Sequence, residues 1–208
     1  MSPDSTKGSK NPQTLHNAPI GTCDEFVIFS DQLCSVETCG YYRSDIPAYQ
    51  GFAGDKKIFV FEFSMPHNAT GAPLNDDMPA IWALNSKIPR TFQYGIGDGV
   101  KFPHQSCSCW ESGCGELDLF EILEGNKANL ISHYHSEQGT NNQYGGGGSA
   151  DYFTRPCDNS VKAAVIFDGN KEVIIRFLPD STAFTKEMVD EDFMDLKDCS
   201  ASVYTLPS

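Results

Sequence analysis

The chain is short of positive charge: Lys and Arg number 15 against 28 Asp and Glu, a net charge of −13 over 208 residues. That balance argues against nucleic acid and against anionic membrane surfaces, and it suits a neutral ligand in an acidic extracellular space. No apolar run approaches the ~18 residues that span a bilayer. The N-terminus, Met-Ser-Pro-Asp-Ser-Thr-Lys-Gly, is polar and lacks the apolar region of a secretory leader. No internal repeat is present. Cys107-x-Cys109 with Cys114 lacks the usual two-residue ligand spacing and a second Cys/His pair, which speaks against a zinc site.

Cysteine, glycine and proline are well supplied. Eight cysteines, at 23, 34, 39, 107, 109, 114, 157 and 199, are an even number, and disulfides are the expectation, with too many possible pairings for connectivity to be read. Disulfides would stiffen the loop that delivers the acid-bearing strand, an effect typically of about 2–4 kcal/mol per bridge. The cysteines and the Asn68-Ala69-Thr70 glycosylation sequon point to a secreted glycoprotein while the N-terminus carries no leader. A mature or trimmed chain with an added methionine reconciles the two. Residues 1–20 read as a disordered lead-in or linker and 21–208 as one domain, long enough for a sizeable core.

The rest reads as short strands between turn signals, hence all-β. Strands are expected at 26–29, 58–65, 80–84, 116–123, 129–135, 161–167 and 173–178. The segment 58–65 is apolar on both faces apart from Glu62 and reads as a central strand. Asp168-Gly169-Asn170 is a hairpin signal. Residues 141–149, with four consecutive glycines, read as a mobile loop, and Met188, Phe193 and Leu196 give partial helical spacing over 185–197.

Chemistry concentrates in Gly115-Glu116-Leu117-Asp118-Leu119-Phe120-Glu121-Ile122. Alternation puts Glu116 and Asp118 on one face and Leu117 on the other. Glu121 has the wrong parity, and an extra residue bulged out at Leu119 or Phe120 would return it to the acids' face. Three acids in so apolar a strand repel one another and lose hydration, which is costly without a task. The fitting task is cleavage or transfer of a glycosidic bond with retention, in which two carboxyl groups about 5–5.5 Å apart act as nucleophile and acid/base. Residues five apart span roughly 16 Å on an extended strand, so the bulge and strand curvature must close the gap.

Glu-x-Asp-x-x-Glu in an apolar strand resembles the signature of the laminarinase-like family 16 glycoside hydrolases. Met78-Pro79-Ala80-Ile81-Trp82-Ala83-Leu84-Asn85 resembles the strand that precedes the catalytic strand there. Ser106-Cys107-Ser108-Cys109-Trp110 with Gly113-Cys114-Gly115, Asp151-Tyr152-Phe153-Thr154-Arg155-Pro156, and Lys162-Ala163-Ala164-Val165-Ile166-Phe167 are similar to a narrower group, the fungal and oomycete cell-wall glycosyl hydrolases. The resemblance covers roughly residues 20–180. It implies a β-jelly-roll sandwich of two antiparallel sheets with a substrate groove. It also implies an extracellular or cell-wall location and a retaining endo-acting β-glucanase on β-1,3-glucan.

By that resemblance Glu116 is the nucleophile, Asp118 its orienting partner and Glu121 the acid/base. Trp82, Trp110, His133 and His135 are the candidate substrate contacts, His133 matching the family's active-site histidine best. Arg155, Tyr94 and Gln93 are further polar candidates, and Glu124 reads as a solvated turn residue. His and carboxylate together are competent metal ligands, but no metal or cofactor is expected. Many such jelly rolls carry a structural calcium, and no Asp/Glu cluster here identifies one. A monomer acting on β-glucan is the expectation. The alternatives are a wall-remodelling transglycosylase, a non-catalytic lectin-like glucan binder and a disulfide-held structural wall protein. Departures from the family lie in His133-Tyr134-His135-Ser136-Glu137 and in how soon the chain ends after Cys199.

Overall fold

The computed structural model describes residues 21–22, 24–44, 47–91, 107, 109, 114–135, 151–185 and 202–205. Strands β1 (Lys56–Phe63), β6 (Val161–Asp168), β7 (Glu172–Leu178) and β8 (Ser202–Thr205) form one antiparallel sheet in the order β1-β6-β7-β8. Strands β2 (Ala80–Leu84), β3 (Glu116–Leu123), β4 (Asn126–His135) and β5 (Asp151–Thr154) form a second, in the order β2-β3-β4-β5. The all-β reading is therefore correct, and six of the seven expected strands are present.

One core lies between the sheets. Leu117, Leu119, Phe120, Ile122 and Leu130 from the second sheet meet Ala163, Val165, Val173 and Ile175 from the first. Phe120 is its hub, with ring centroids 4.9 Å from Phe63, 5.9 Å from Phe153 and Phe177 and 6.3 Å from Phe61. A fully buried ring with four aromatic neighbours fixes the height at which β3 crosses the sandwich.

Three expectations need correction. Residues 26–29 form no strand: Phe26, Val27 and Ile28 are exposed, so apolar composition there does not signal a ladder. Segment 58–65 is not central either. Its strand, β1, is at the edge of the described sheet, with Phe59, Phe61 and Phe63 turned to the core and Val60 and Glu62 exposed. The strands buried on both faces are β6 and β7, whose outer side holds Ala164, Ile166, Ile174 and Leu178 with Ile58 against them. Arg155, expected as a sugar contact, is buried and structural. Its guanidinium donates to Asp77 Oδ1 at 2.6 Å and to the carbonyls of Met65 and Pro66 at 2.7 and 2.9 Å. That partner holds Asp77 far below the ordinary carboxylate range.

Two short helices went unread. α1 (Val36–Cys39) starts at a Ser35/Thr38 capping box and lies within the Cys34–Cys39 disulfide. α2 (Lys87–Arg90) supplies buried Ile88, which packs with Leu84, Cys107, Cys109 and Cys114. The second disulfide, Cys107–Cys114, closes the segment leading into β3. Cys109 and Cys157 stand as thiols, and Cys23 and Cys199 lie outside the described residues.

The Asp168-Gly169-Asn170 hairpin forms as expected between β6 and β7. Gly169 sits at φ +84°, and the Asp168 carboxylate accepts from the Asn170 and Glu172 amides. Glu124 lies exposed in the β3–β4 turn, 3.6 Å from Lys127. The Asn68 sequon lies on an exposed loop that closes on Asp76 and Asp77. The 141–149 loop, residues 1–20 and the 186–197 part of the expected helix lie outside the described residues.

Candidate active site

The bulge exists, and it falls at Leu119. On the β2 side Trp82 pairs with Asp118 and Ile81 with Phe120, one step against two. On the β4 side His133 pairs with Asp118 and Ile131 with Glu121, two steps against three. Leu119 is the supernumerary residue in the β2 ladder, the β4 ladder shifts across Leu119 and Phe120, and both residues pack in the core. The parity shift therefore returns Glu121 to the outer face with Glu116 and Asp118.

A bulge frees backbone groups that burial makes expensive. Here the Ser132 hydroxyl, fully buried, donates to the Leu119 carbonyl at 2.6 Å. Ser132 escaped notice in the sequence. Its signal was a hydroxyl at a core-facing position of β4, opposite the segment where parity fails. Gly115 opens the strand at φ +83°, and a Cβ there would lie 3.2 Å from the Tyr134 hydroxyl. This position requires glycine.

Directly opposed residues share a face, so the register lays out the outer surface in three rows. The first holds Leu84, Glu116 and His135; the second Trp82, Asp118 and His133; the third Ala80, Glu121, Ile131 and Tyr152. Both histidines and Trp82 thus share a face with all three acids. Trp110, Tyr94 and Gln93 lie outside the described residues.

Of the two histidines, His135 is the one that touches an acid: its Nε2 lies 2.9 Å from Asp118 Oδ2. The His133 ring lies against that of His135, tilted by 51° with centroids 4.3 Å apart. Burial, and then the neighbouring His135, hold His133 below the ordinary histidine value. The donor atoms of Glu116, Asp118 and His135 lie within 4.8 Å of one another, a set that a divalent cation could use. In this structure the His135–Asp118 contact engages two of those three groups with each other.

The two glutamates are strongly perturbed. Burial first, then the Asp118 charge, push both Glu116 and Glu121 up to about 7, with His135 acting in the opposite direction on each. They differ in their further neighbours: the Glu25 charge also raises Glu116, and the Glu116 charge raises Glu121. Glu116 accepts a hydrogen bond from the Cys109 side chain, which favours its charged form. Its other oxygen, Oε2, is buried without a hydrogen bond. Cys109, buried beside the Cys107–Cys114 bridge, is a second residue the sequence did not single out for this site.

A carboxylic acid and a carboxylate on one sheet face, with the same perturbed range and unequal hydrogen bonding, can divide acid and nucleophile roles near neutral pH. Comparison with known proteins gives the lineage. The family model described as cell wall protein YJL171C/Tos1, C-terminal, matches residues 1–196. The chain belongs to this family of cell wall proteins. It is 47% identical over 191 residues to a Candida albicans protein named probable circularly permuted 1,3-beta-glucanase TOS1, covering 90% of this chain and 39% of that one. It is 51% identical over 173 residues to the Saccharomyces cerevisiae protein of the same name, covering 82% and 35%. A second Candida albicans relative, probable circularly permuted 1,3-beta-glucanase PGA52, is 38% identical over 187 residues, covering 86% and 46%. The chain thus spans less than half the length of these curated relatives. No solved structure matches it.

Proposed function

We propose that this chain carries the catalytic face of a retaining, endo-acting β-1,3-glucanase of the cell wall. The observation that carries the reading is the bulge at Leu119, which puts Glu116, Asp118 and Glu121 on one face with both glutamates raised to about 7. The substrate class is supported by the relatives' names, which call them probable 1,3-beta-glucanases.

Glu116 is the nucleophile by the resemblance of Glu-x-Asp-x-x-Glu to the family 16 signature, and the Cys109 hydrogen bond, which favours its anion, is consistent with that role. Its carboxylate attacks the anomeric carbon as protonated Glu121 gives its proton to the glycosidic oxygen. The carbon–oxygen bond breaks, the new chain end departs, and a glycosyl ester remains on Glu116. Glu121, now a carboxylate, takes a proton from water, whose oxygen attacks the same carbon and frees Glu116. Two inversions give net retention. Asp118, held by His135, supplies the charge between them that discourages both glutamates from ionising together. Trp82, opposite Asp118, offers a ring for the sugar bound at the acids. The two carboxyl groups suffice for this chemistry, so no cofactor enters it.

The test is chromatographic analysis of products from laminarin and laminari-oligosaccharides, with wild type and Glu116→Gln. Shorter oligosaccharides from wild type alone support the glucanase. Products longer than the substrate would make the acceptor a second glucan chain and the protein a transglycosylase. Binding that survives in both proteins without any product would replace the reading with a lectin-like glucan binder.

A further inference from the structure

We propose that Tyr152, with Ile131 beside it, forms a sugar-stacking subsite that reads glucan chain length on the side of the acids opposite Trp82. The proposal rests on the glucanase reading and extends it along the substrate.

Tyr152 pairs with Ile131, Ile131 with Glu121 and Glu121 with Ala80, one continuous row across the sheet. The next residue, Phe153, pairs with buried Leu130 and packs in the core against Phe177, ring centroids 5.1 Å apart. Strand alternation therefore turns Tyr152 outward, onto the acids' face. It is 63% exposed, among the most exposed large side chains described. An outward aromatic held on a strand whose neighbour is locked in the core is a rigid platform, unlike an aromatic on a loop.

Distance decides which sugar it meets. β5 lies two strand spacings from β3, about 9.5 Å, too far for Tyr152 to touch the ring being cleaved. Trp82 is one spacing away on the other side, so the two rings bracket the acids over about 14 Å. Among the described residues, beyond Glu121 this row offers only Ile131 and Tyr152, an apolar and aromatic shelf without a charged side chain. Such a shelf suits the apolar face of a neutral sugar ring, with the tyrosine hydroxyl free to reach a sugar hydroxyl at the edge.

The experiment measures kcat/KM on laminari-oligosaccharides of increasing length for wild type, Tyr152→Ala and Tyr152→Phe, with melting temperatures as a check on folding. Wild type gains rate as the chain grows long enough to reach β5. Tyr152→Ala loses about tenfold on the long substrates and little on the shortest one cleaved, and Tyr152→Phe keeps most of the gain. An equal loss at every length, or no loss at any length, overturns the proposal. Should wild type release no product from any β-1,3-glucan, the glucanase reading fails by itself. Calorimetric titration with laminarihexaose then decides the subsite: weaker binding by Tyr152→Ala upholds it, and unchanged or undetectable binding overturns it.

Discussion

Replacing Glu116 by Gln should remove activity while making the folded protein more stable at neutral and higher pH. In the folded chain Glu116 titrates at about 7, against an ordinary 4.5. Below pH 4.5 the group is protonated in both the folded and unfolded chain and contributes no difference. As pH rises through the ordinary value toward 7 the unfolded chain ionises and the folded chain does not, so stability falls. Raising a carboxyl from 4.5 to about 7 corresponds to a ceiling of about 3 kcal/mol. Glu116 remains partly accessible to water, which screens its charge, and about 1–2 kcal/mol is the realistic share. For a chain of this size that is a rise in Tm of roughly 2–8 °C at pH 8. Thermal or urea unfolding of wild type and Glu116→Gln at pH 4 and pH 8 reads it directly. The expected pattern is near-identical stability at pH 4 and a more stable variant at pH 8. A variant less stable than wild type at both pH values, by the same amount, would refute the argument that burial and the Asp118 charge oppose ionisation of Glu116.

Three further outcomes follow from the same geometry. Ser132→Ala strands the buried Leu119 carbonyl and should cost about 1–3 kcal/mol; because the bulge places Glu121, kcat/KM should fall more than unfolding alone explains, as kinetics below the melting range would show. Arg155→Met leaves buried Asp77 without its guanidinium and should cost about 3–5 kcal/mol in urea unfolding at neutral pH, with no change in the pH profile of whatever activity survives. Cys109→Ala removes the donor that favours the Glu116 anion, so the acidic limb of the kcat/KM profile should move to higher pH, whereas Cys109→Ser, which restores a hydroxyl donor, should return it.

Much of this site was legible before any fold existed. Strand parity made Glu116 and Asp118 neighbours on one face, and the same parity showed that Glu121 could join them only through an irregularity at Leu119 or Phe120. The apolar character of 116–123 excluded a surface loop, and the Asp-Gly-Asn turn set the β6–β7 hairpin. These are properties of a two-residue repeat and of local turn chemistry, which a sequence carries whatever surrounds it. Burial on two faces was misjudged at 58–65 for a related reason: periodicity reports which residues are apolar, not how many sheets or strands lie beyond them.

Tertiary structure decided the rest. Phe26, Val27 and Ile28 are as apolar as a strand but have no ladder beside them, because a strand exists only where another backbone supplies its hydrogen bonds. Arg155 became a clamp on Asp77 instead of a sugar contact because residues 78 positions apart were brought together. The ranking of the histidines waited on pairing between β3 and β4: alternation put His133 and His135 on one face, but only the fold brought the His135 ring to Asp118. Likewise the Cys109 thiol meets Glu116 only once Cys107, Cys109 and Cys114 pack with Ile88. A sequence fixes which groups share a face, since that depends on bond geometry along one strand. Which groups touch, and hence how far each carboxyl is pushed from its ordinary range, depends on how separate strands pack, and that the tertiary structure alone decides.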